Sequence, residues 1–157
     1  MDGHVILPGV AHLEMARAAA GDPVAGFRDV FWGRPLLAGE RSETACVRLT
    51  SNAFTIHRDG HPSFVFSQGT IERESTVRAA QFDLDEIRSR LPVRKSRAET
   101  FEHLTRLGFA YGPWFQRSEE LHSGEREALV RMRMPRDEWP ASAWHPALMD
   151  TALGLTR

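Results

Sequence analysis

The hydrophobic pattern changes period at Asp22-Pro23, from helical to strand-like, and that change limits the folds open to the chain. Before it, Pro8-Gly9-Val10-Ala11-His12-Leu13-Glu14-Met15-Ala16-Arg17-Ala18-Ala19-Ala20-Gly21 carries the marks of a helix. Pro stands near the first helical position, Val10, Leu13 and Met15 are bulky apolar contacts, the body is rich in alanine, and Gly21 is a stop. Val5-Ile6-Leu7 reads as a strand end running into it. After the change come four strand-like runs, Gly26 to Leu37, Thr44 to Thr50, Ala53 to Arg58 and Pro62 to Ile71. Ala38-Gly39-Glu40, Ser51-Asn52 and Asp59-Gly60-His61 supply the turns between them. Phe54, Ile56, Phe64 and Phe66 alternate with polar residues, as a half-buried antiparallel sheet requires. The expected unit is α+β: one long helix, its alanines allowing close approach, packed on a β-meander.

From Glu72 to Ala98 the chain turns polar, with at most one short helix at Leu84 to Leu91. This divides the sequence into a first unit at 1–75, a linker at 76–97 and a second unit at 98–157. The second unit opens with a helix at about Thr100 to Leu107, stopped by Gly108. It passes through Tyr111-Gly112-Pro113 into two strand-like runs, Phe115 to Leu121 and Ala128 to Met134, and ends in a helix at Pro146 to Leu155. Two strands are few for two helices, because a sheet needs several strands to cover a helix. The chain is therefore expected to be cut inside a domain, and to lack the first strand of the first unit. No tandem repeat or low-complexity tract is evident.

Hydrophobic residues at 41% and charged residues at 26% are ordinary for a folded domain. Twenty basic against twenty-one acidic residues leave a net charge of -1, so no global field draws the chain to nucleic acid or an anionic membrane. Cys46 is the only cysteine, which excludes an intramolecular disulfide, and no structural zinc spacing is present. With no cationic leader and no apolar run of membrane-spanning length, the expected location is the cytoplasm.

Three segments carry a resemblance. Gly3-His4-Val5-Ile6-Leu7-Pro8-Gly9-Val10-Ala11-His12-Leu13-Glu14-Met15-Ala16 is similar to an HxxxGxxxxP motif entering a helix, with Gly3 and Pro8 in place. Tyr111-Gly112-Pro113-Trp114-Phe115-Gln116 is similar to a YGPxFQ segment, and His145-Pro146-Ala147-Leu148-Met149-Asp150 to an HPALLD stretch. In this order and spacing they resemble the dehydratase domains of modular polyketide synthases. The LPGVAHLEMARAA wording resembles domains of synthases that use a separate acyltransferase. The resemblance implies two hot-dog units, each a long helix wrapped by antiparallel sheet, with the active site between them. Here the first would be nearly complete and the second only begun.

The implied reaction is loss of water from a β-hydroxyacyl thioester, giving the α,β-enoyl thioester, the work of a hydro-lyase. No cofactor or metal is implied beyond the phosphopantetheine of an acyl carrier protein that bears the substrate. The implied partners are that carrier, neighbouring synthase domains and a second copy in a homodimer. Asp150 would be the acid that protonates the leaving hydroxyl, and in a partly buried apolar cleft a carboxyl holds its proton more tightly. An Asp in a first helical turn also suits the macrodipole, so its position alone leaves both roles open. Gly9 and Val10, at the helix start, offer N–H groups to the thioester carbonyl, or are simply the helix entrance. Tyr111, on the turn with Pro113, would touch the β-oxygen or the Asp150 carboxyl, or serve structurally beside Trp114 and Phe115 as core. His145 would line the site by orienting the loop before the last helix.

Two departures bear on activity. Counting back from Gly3, the base His of the motif falls before Met1, and His4 is out of register to replace it. The histidines at 12, 57, 61, 103 and 122 read as packing or surface residues. Gly154 stands where the family usually has Gln or His to hold the Asp carboxyl. The chain by itself is thus expected to be inactive. Alternatives are a pyran- or furan-forming cyclase, and a non-catalytic hot-dog scaffold that binds carrier protein.

Overall fold

The computed structural model describes residues 5–21, 23–38, 43–74, 80–135 and 145–155. The chain divides into two compact units, residues 2–78 and 79–157. The motif head at Gly3-His4 and the Gly39-Glu40 part of one expected turn lie outside the described residues.

In the first unit, β1 (Val5–Leu7) runs into α1 (Gly9–Ala20). The strands β2 (Gly26–Trp32), β4 (Ala45–Thr50), β5 (Ala53–Arg58) and β6 (His61–Glu72) form an antiparallel sheet in the order β2-β6-β5-β4. A further strand, β3 (Leu36–Ala38), pairs with β1. The expected run from Gly26 to Leu37 is thus two strands. A register shift falls between Arg28 and Phe31, where Asp29 takes a φ of 53°, and β2 ends before Gly33. Such a bulge bends a strand and re-aims the side chains beyond it.

Helix α1 lies on β4, β5 and β6. It buries Val10, Ala11, His12, Leu13 and Ala16, and Ala16 is fully inaccessible, so the small residue sets how closely helix and sheet approach. Phe54, Ile56, Phe66 and Ile71 complete this core. Phe64 departs from the expected alternation and is half-buried. Its ring packs edge-on to Phe66 and lies under the guanidinium groups of Arg34 and Arg58. The register shifts flanking His57 account for the lost alternation.

The second unit contains more structure than its sequence suggests. Within the stretch read as linker, α2 (Leu84–Ser89) is capped by Asp83, whose carboxylate accepts from the Asp85 and Glu86 N–H groups. Strand β7 (Val93–Ser96) follows and pairs with β8 (Ser118–Ser123). With β9 (Ala128–Met132) this makes a three-stranded antiparallel sheet, β7-β8-β9, rather than two strands. Helix α3 (Arg97–Arg106) begins at a capping box in which the Ser96 hydroxyl accepts from the Glu99 N–H and the Glu99 carboxylate from the Ser96 N–H. That Ser-x-x-Glu spacing starts the helix three residues before the expected Thr100. α3 packs on β7 and β8, and α4 (Pro146–Gly154) packs on β9 and on a single 3-10 turn at Pro113–Phe115.

Candidate active site

The second unit assembles the candidate site from two of the three motif segments. Pro113 opens the 3-10 turn because its fixed φ suits a first helical position and its missing N–H costs nothing there. Phe115 therefore belongs to the turn, and the strand expected from it starts only at Ser118. Tyr111 precedes this turn, and the Gln116 Nε2 donates to its carbonyl at 2.9 Å, closing the loop on itself. Trp114, expected in the core, is 44% exposed.

Helix α4 is fastened to the turn at two points, its N-cap and Thr151. His145 is its N-cap, buried, with Nδ1 accepting from the Ala147 N–H at 3.2 Å and its ring 4.7 Å from that of Trp114. A turn later, the Thr151 hydroxyl lies 2.8 Å from the Ala147 carbonyl and 3.3 Å from that of Phe115. These bonds orient the helix that carries Asp150 as its fifth residue.

Asp150 and Tyr111 line one shallow recess, open to solvent. Its walls include Phe101 and Leu104 of α3, Phe115 of the 3-10 turn and Gly154 of α4. The Tyr111 ring is held edge-on to Phe101 at 5.9 Å and tilted against Phe109 at 6.5 Å. Its hydroxyl sits over the end of α4, where a Cβ on Gly154 would come within 3.3 Å of it. The recess therefore combines one carboxyl and one phenol with mostly apolar walls. No described histidine lines it.

Gly9 and Val10 belong to the first unit and open α1. Pro8 gives that helix no side-chain cap. The Ala11 N–H donates to the Pro8 carbonyl at 2.9 Å, and the two N–H groups before it have no acceptor within the helix. The Gly9 carbonyl accepts from the indole Nε1–H of Trp32 at 2.9 Å.

Several residues here had no sequence signal. Trp32 and Phe101 reach their partners only through tertiary packing, as the Thr151 hydroxyl reaches the Phe115 carbonyl. His12, read as a packing or surface residue, is 1% exposed and meets Ser67 Oγ through Nδ1 at 3.0 Å. His57 and His122 are also buried, bonded to the Arg58 carbonyl and the Glu120 carboxylate respectively. Among the described residues, no group of three or more His, Cys, Asp or Glu side chains could hold a metal ion, and no helix is long and apolar enough to cross a membrane.

Comparison with known proteins agrees with this architecture. A family model described as polyketide synthase dehydratase domain matches residues 1–67, and one described as polyketide synthase dehydratase N-terminal domain matches residues 79–156. The chain is 29% identical to polyketide synthase PksN of Bacillus subtilis (strain 168), covering 96% of this chain and 3% of that protein. It is 30% identical to polyketide synthase ThaG of Burkholderia thailandensis, covering 97% of this chain and 3% of that protein. Among solved structures it is similar to a trans-AT PKS dehydratase domain from Brevibacillus brevis, with a TM-score of 0.79 and 28% identity over 97% of this chain and 61% of that one. The dehydratase domain from the CurF module of curacin polyketide synthase gives a TM-score of 0.76 and 25% identity over 96% of this chain and 60% of that one. The chain thus spans about three-fifths of these solved domains and a few per cent of the curated synthases.

The fold is α+β of the hot-dog class, with the helix-on-sheet layout of the solved dehydratase domains. The chain belongs to the polyketide synthase dehydratase family.

Proposed function

We propose that the chain is the dehydratase portion of a polyketide synthase that uses a separate acyltransferase, acting on a β-hydroxyacyl thioester carried by acyl carrier protein. The observation that carries the reading is that Asp150 and Tyr111 line one recess together with Phe101, Leu104 and Phe115. Loss of water needs a proton on the departing hydroxyl and a stabilised charge on the thioester carbonyl. Asp150 supplies the proton to the departing hydroxyl. Tyr111 and Pro113 shape the acyl end of the site, and His145 holds α4 in place. Gly9 and Val10 present first-turn N–H groups to the carbonyl, where the positive end of α1 favours developing negative charge. The substrate arrives on a phosphopantetheine arm, so the reaction calls on no other cofactor, and the working assembly includes neighbouring synthase domains and a second copy of the domain.

A second reading has one observation in its favour: the recess that holds Asp150 includes no described histidine to take the α-proton. On this reading the domain binds the acyl carrier without turnover. Incubation of a version extended upstream of Met1 with 3-hydroxybutyryl-acyl carrier protein separates the two. Formation of the crotonyl thioester that falls by about 10²-fold or more in Asp150→Asn supports the dehydratase. Binding without product supports the module, and turnover unchanged in Asp150→Asn removes Asp150 from the mechanism.

A further inference from the structure

We infer that Trp32, Ser67 and His12 form a clamp that positions the first turn of α1, making them positioning residues for the thioester carbonyl; the inference rests on the role proposed above for Gly9 and Val10. Trp32 of β2 and Ser67 of β6 are direct partners across the antiparallel ladder. Side chains of such a pair project from the same face of the sheet. Both reach α1. The Trp32 Nε1–H donates to the Gly9 carbonyl at 2.9 Å, and Ser67 Oγ meets His12 Nδ1 at 3.0 Å. Residues 9 and 12 are three apart and share a helix face. One rung of the sheet therefore holds the helix at two points a turn apart, which fixes its rotation about its own axis as well as its distance from the strands.

The local sequence is arranged around this contact. A Cβ at position 9 would fall 2.6 Å from Trp32 Nε1 and 2.8 Å from Cδ1, so the indole can lie on the helix entrance only because residue 9 is glycine. The irregularity at Asp29 alters the register of β2 just before Trp32. Beyond it, the Gly33 and Arg34 N–H groups both donate to the Phe66 carbonyl, at 2.8 and 3.2 Å, and hold the end of the strand beside Ser67. Pro8 offers no cap, so the first turn takes its fixed position from this outside support. The pair of His12 and Ser67 is costly as packing: both are fully buried, and His12 Nε2 has no hydrogen-bond partner among the described residues. An apolar pair would fill the same space without leaving a buried polar atom unpaired. What the polar pair adds is direction.

The test titrates the full chain with the S-(3-hydroxybutyryl) thioester of N-acetylcysteamine and follows backbone amide resonances. In the native chain the Gly9 and Val10 amides shift on binding. Trp32→Phe keeps an aromatic ring and removes the N–H; Ser67→Ala removes the hydroxyl. Each is expected to weaken the affinity read at those two amides by about three- to tenfold, the effect of one neutral hydrogen bond. Trp32 is 44% exposed, so its variant keeps the native melting temperature within about 2 °C, separating position from folding. Native affinity in both variants overturns the clamp and leaves the proposed function standing. Ligand shifts confined to Tyr111 and Asp150 do the same. A native chain that shows no ligand-induced shift anywhere overturns the clamp and the proposed function together.

Discussion

Gly69→Ala should destabilise the first unit through one identifiable clash. Gly69 of β6 lies directly across the ladder from Phe54 of β5, and a Cβ there would fall 2.8 Å from Phe54 Cε1, 3.2 Å from Cζ and 3.2 Å from the Arg28 carbonyl. The ring cannot swing into solvent, because Phe54 is 1% exposed and is held edge-on to Phe27 at 5.7 Å. The backbone carbonyl cannot move without disturbing the β2–β6 ladder. Overpacking of this kind costs about 1–3 kcal/mol. Replacing a strand glycine returns about 0.5–1 kcal/mol of backbone entropy. The net loss is about 1–2 kcal/mol, or roughly 2–8 °C in melting temperature for a chain of this length. A double-mutant cycle isolates the cause. Phe54→Ala alone costs about 3–5 kcal/mol, and once the ring is gone Gly69→Ala should cost less, with only the contact to the Arg28 carbonyl remaining. Thermal or urea unfolding of the four proteins measures this. A Gly69→Ala chain as stable as the native one, or an equal loss in both backgrounds, would refute the steric argument.

Burial lowers the pKa of His12 below its ordinary 6.5, so the unfolded chain binds that proton more readily than the folded one. Its contribution is therefore complete above about pH 6.5 and declines as pH falls through that value; urea midpoints that stay level from about pH 7.5 to 5, or a decline equally steep in His12→Asn, would contradict this. Ser96→Ala removes the capping box of α3 and should cost about 1 kcal/mol, with hydrogen exchange faster in the first turn of α3 than in α1. Gly154→Ala places a Cβ 3.3 Å from the Tyr111 hydroxyl, closer than such atoms normally rest. Because Tyr111 is the only tyrosine, its phenol titration by ultraviolet absorbance reports the displacement alone, and an unaltered curve would show that the hydroxyl does not rest on α4.

Legibility in the sequence followed the strength of local signals. Helix α1 and strands β4 and β5 stand within a residue or two of expectation, because the Pro8 and Gly21 boundaries and the Phe54/Ile56 alternation are strong and short-range. Strand β7 was hidden: Val93-Arg94-Lys95-Ser96 has one apolar residue in four and is a strand only because β8 pairs with it. The Asp150 segment could be singled out by its resemblance, yet Phe101 and Leu104 could not, since walls contributed by another helix leave no mark near the motif. Trp32 and Ser67 are 35 residues apart, and only the pairing of β2 with β6 makes them neighbours.

Gly154 illustrates how a departure from a motif changes meaning once packing is visible. From sequence it is a lost side chain, one that would hold the Asp150 carboxyl. In the structure a Cβ on Gly154 would make a tight 3.3 Å contact with the Tyr111 hydroxyl, whereas one on Gly9 would fall in the space taken by the Trp32 indole. Glycine inside a helix costs about 1 kcal/mol relative to alanine, but these two stand at the first residue of α1 and the last of α4. There the helical hydrogen bonds are already incomplete, so the penalty is smaller. At each of these helix ends a polar aromatic group lies against the backbone, where the fold gives up little stability to admit it. At Gly154, then, the end of α4 meets a packed phenol where the family motif has a flexible Gln or His. If that is so, Gly154→Gln should not raise the activity of a version extended upstream of Met1, because the added side chain crowds the Tyr111 hydroxyl. A rate in Gly154→Gln above that of the unsubstituted version would show instead that Gly154 is a plain loss and that the Tyr111 hydroxyl takes no part in holding the site.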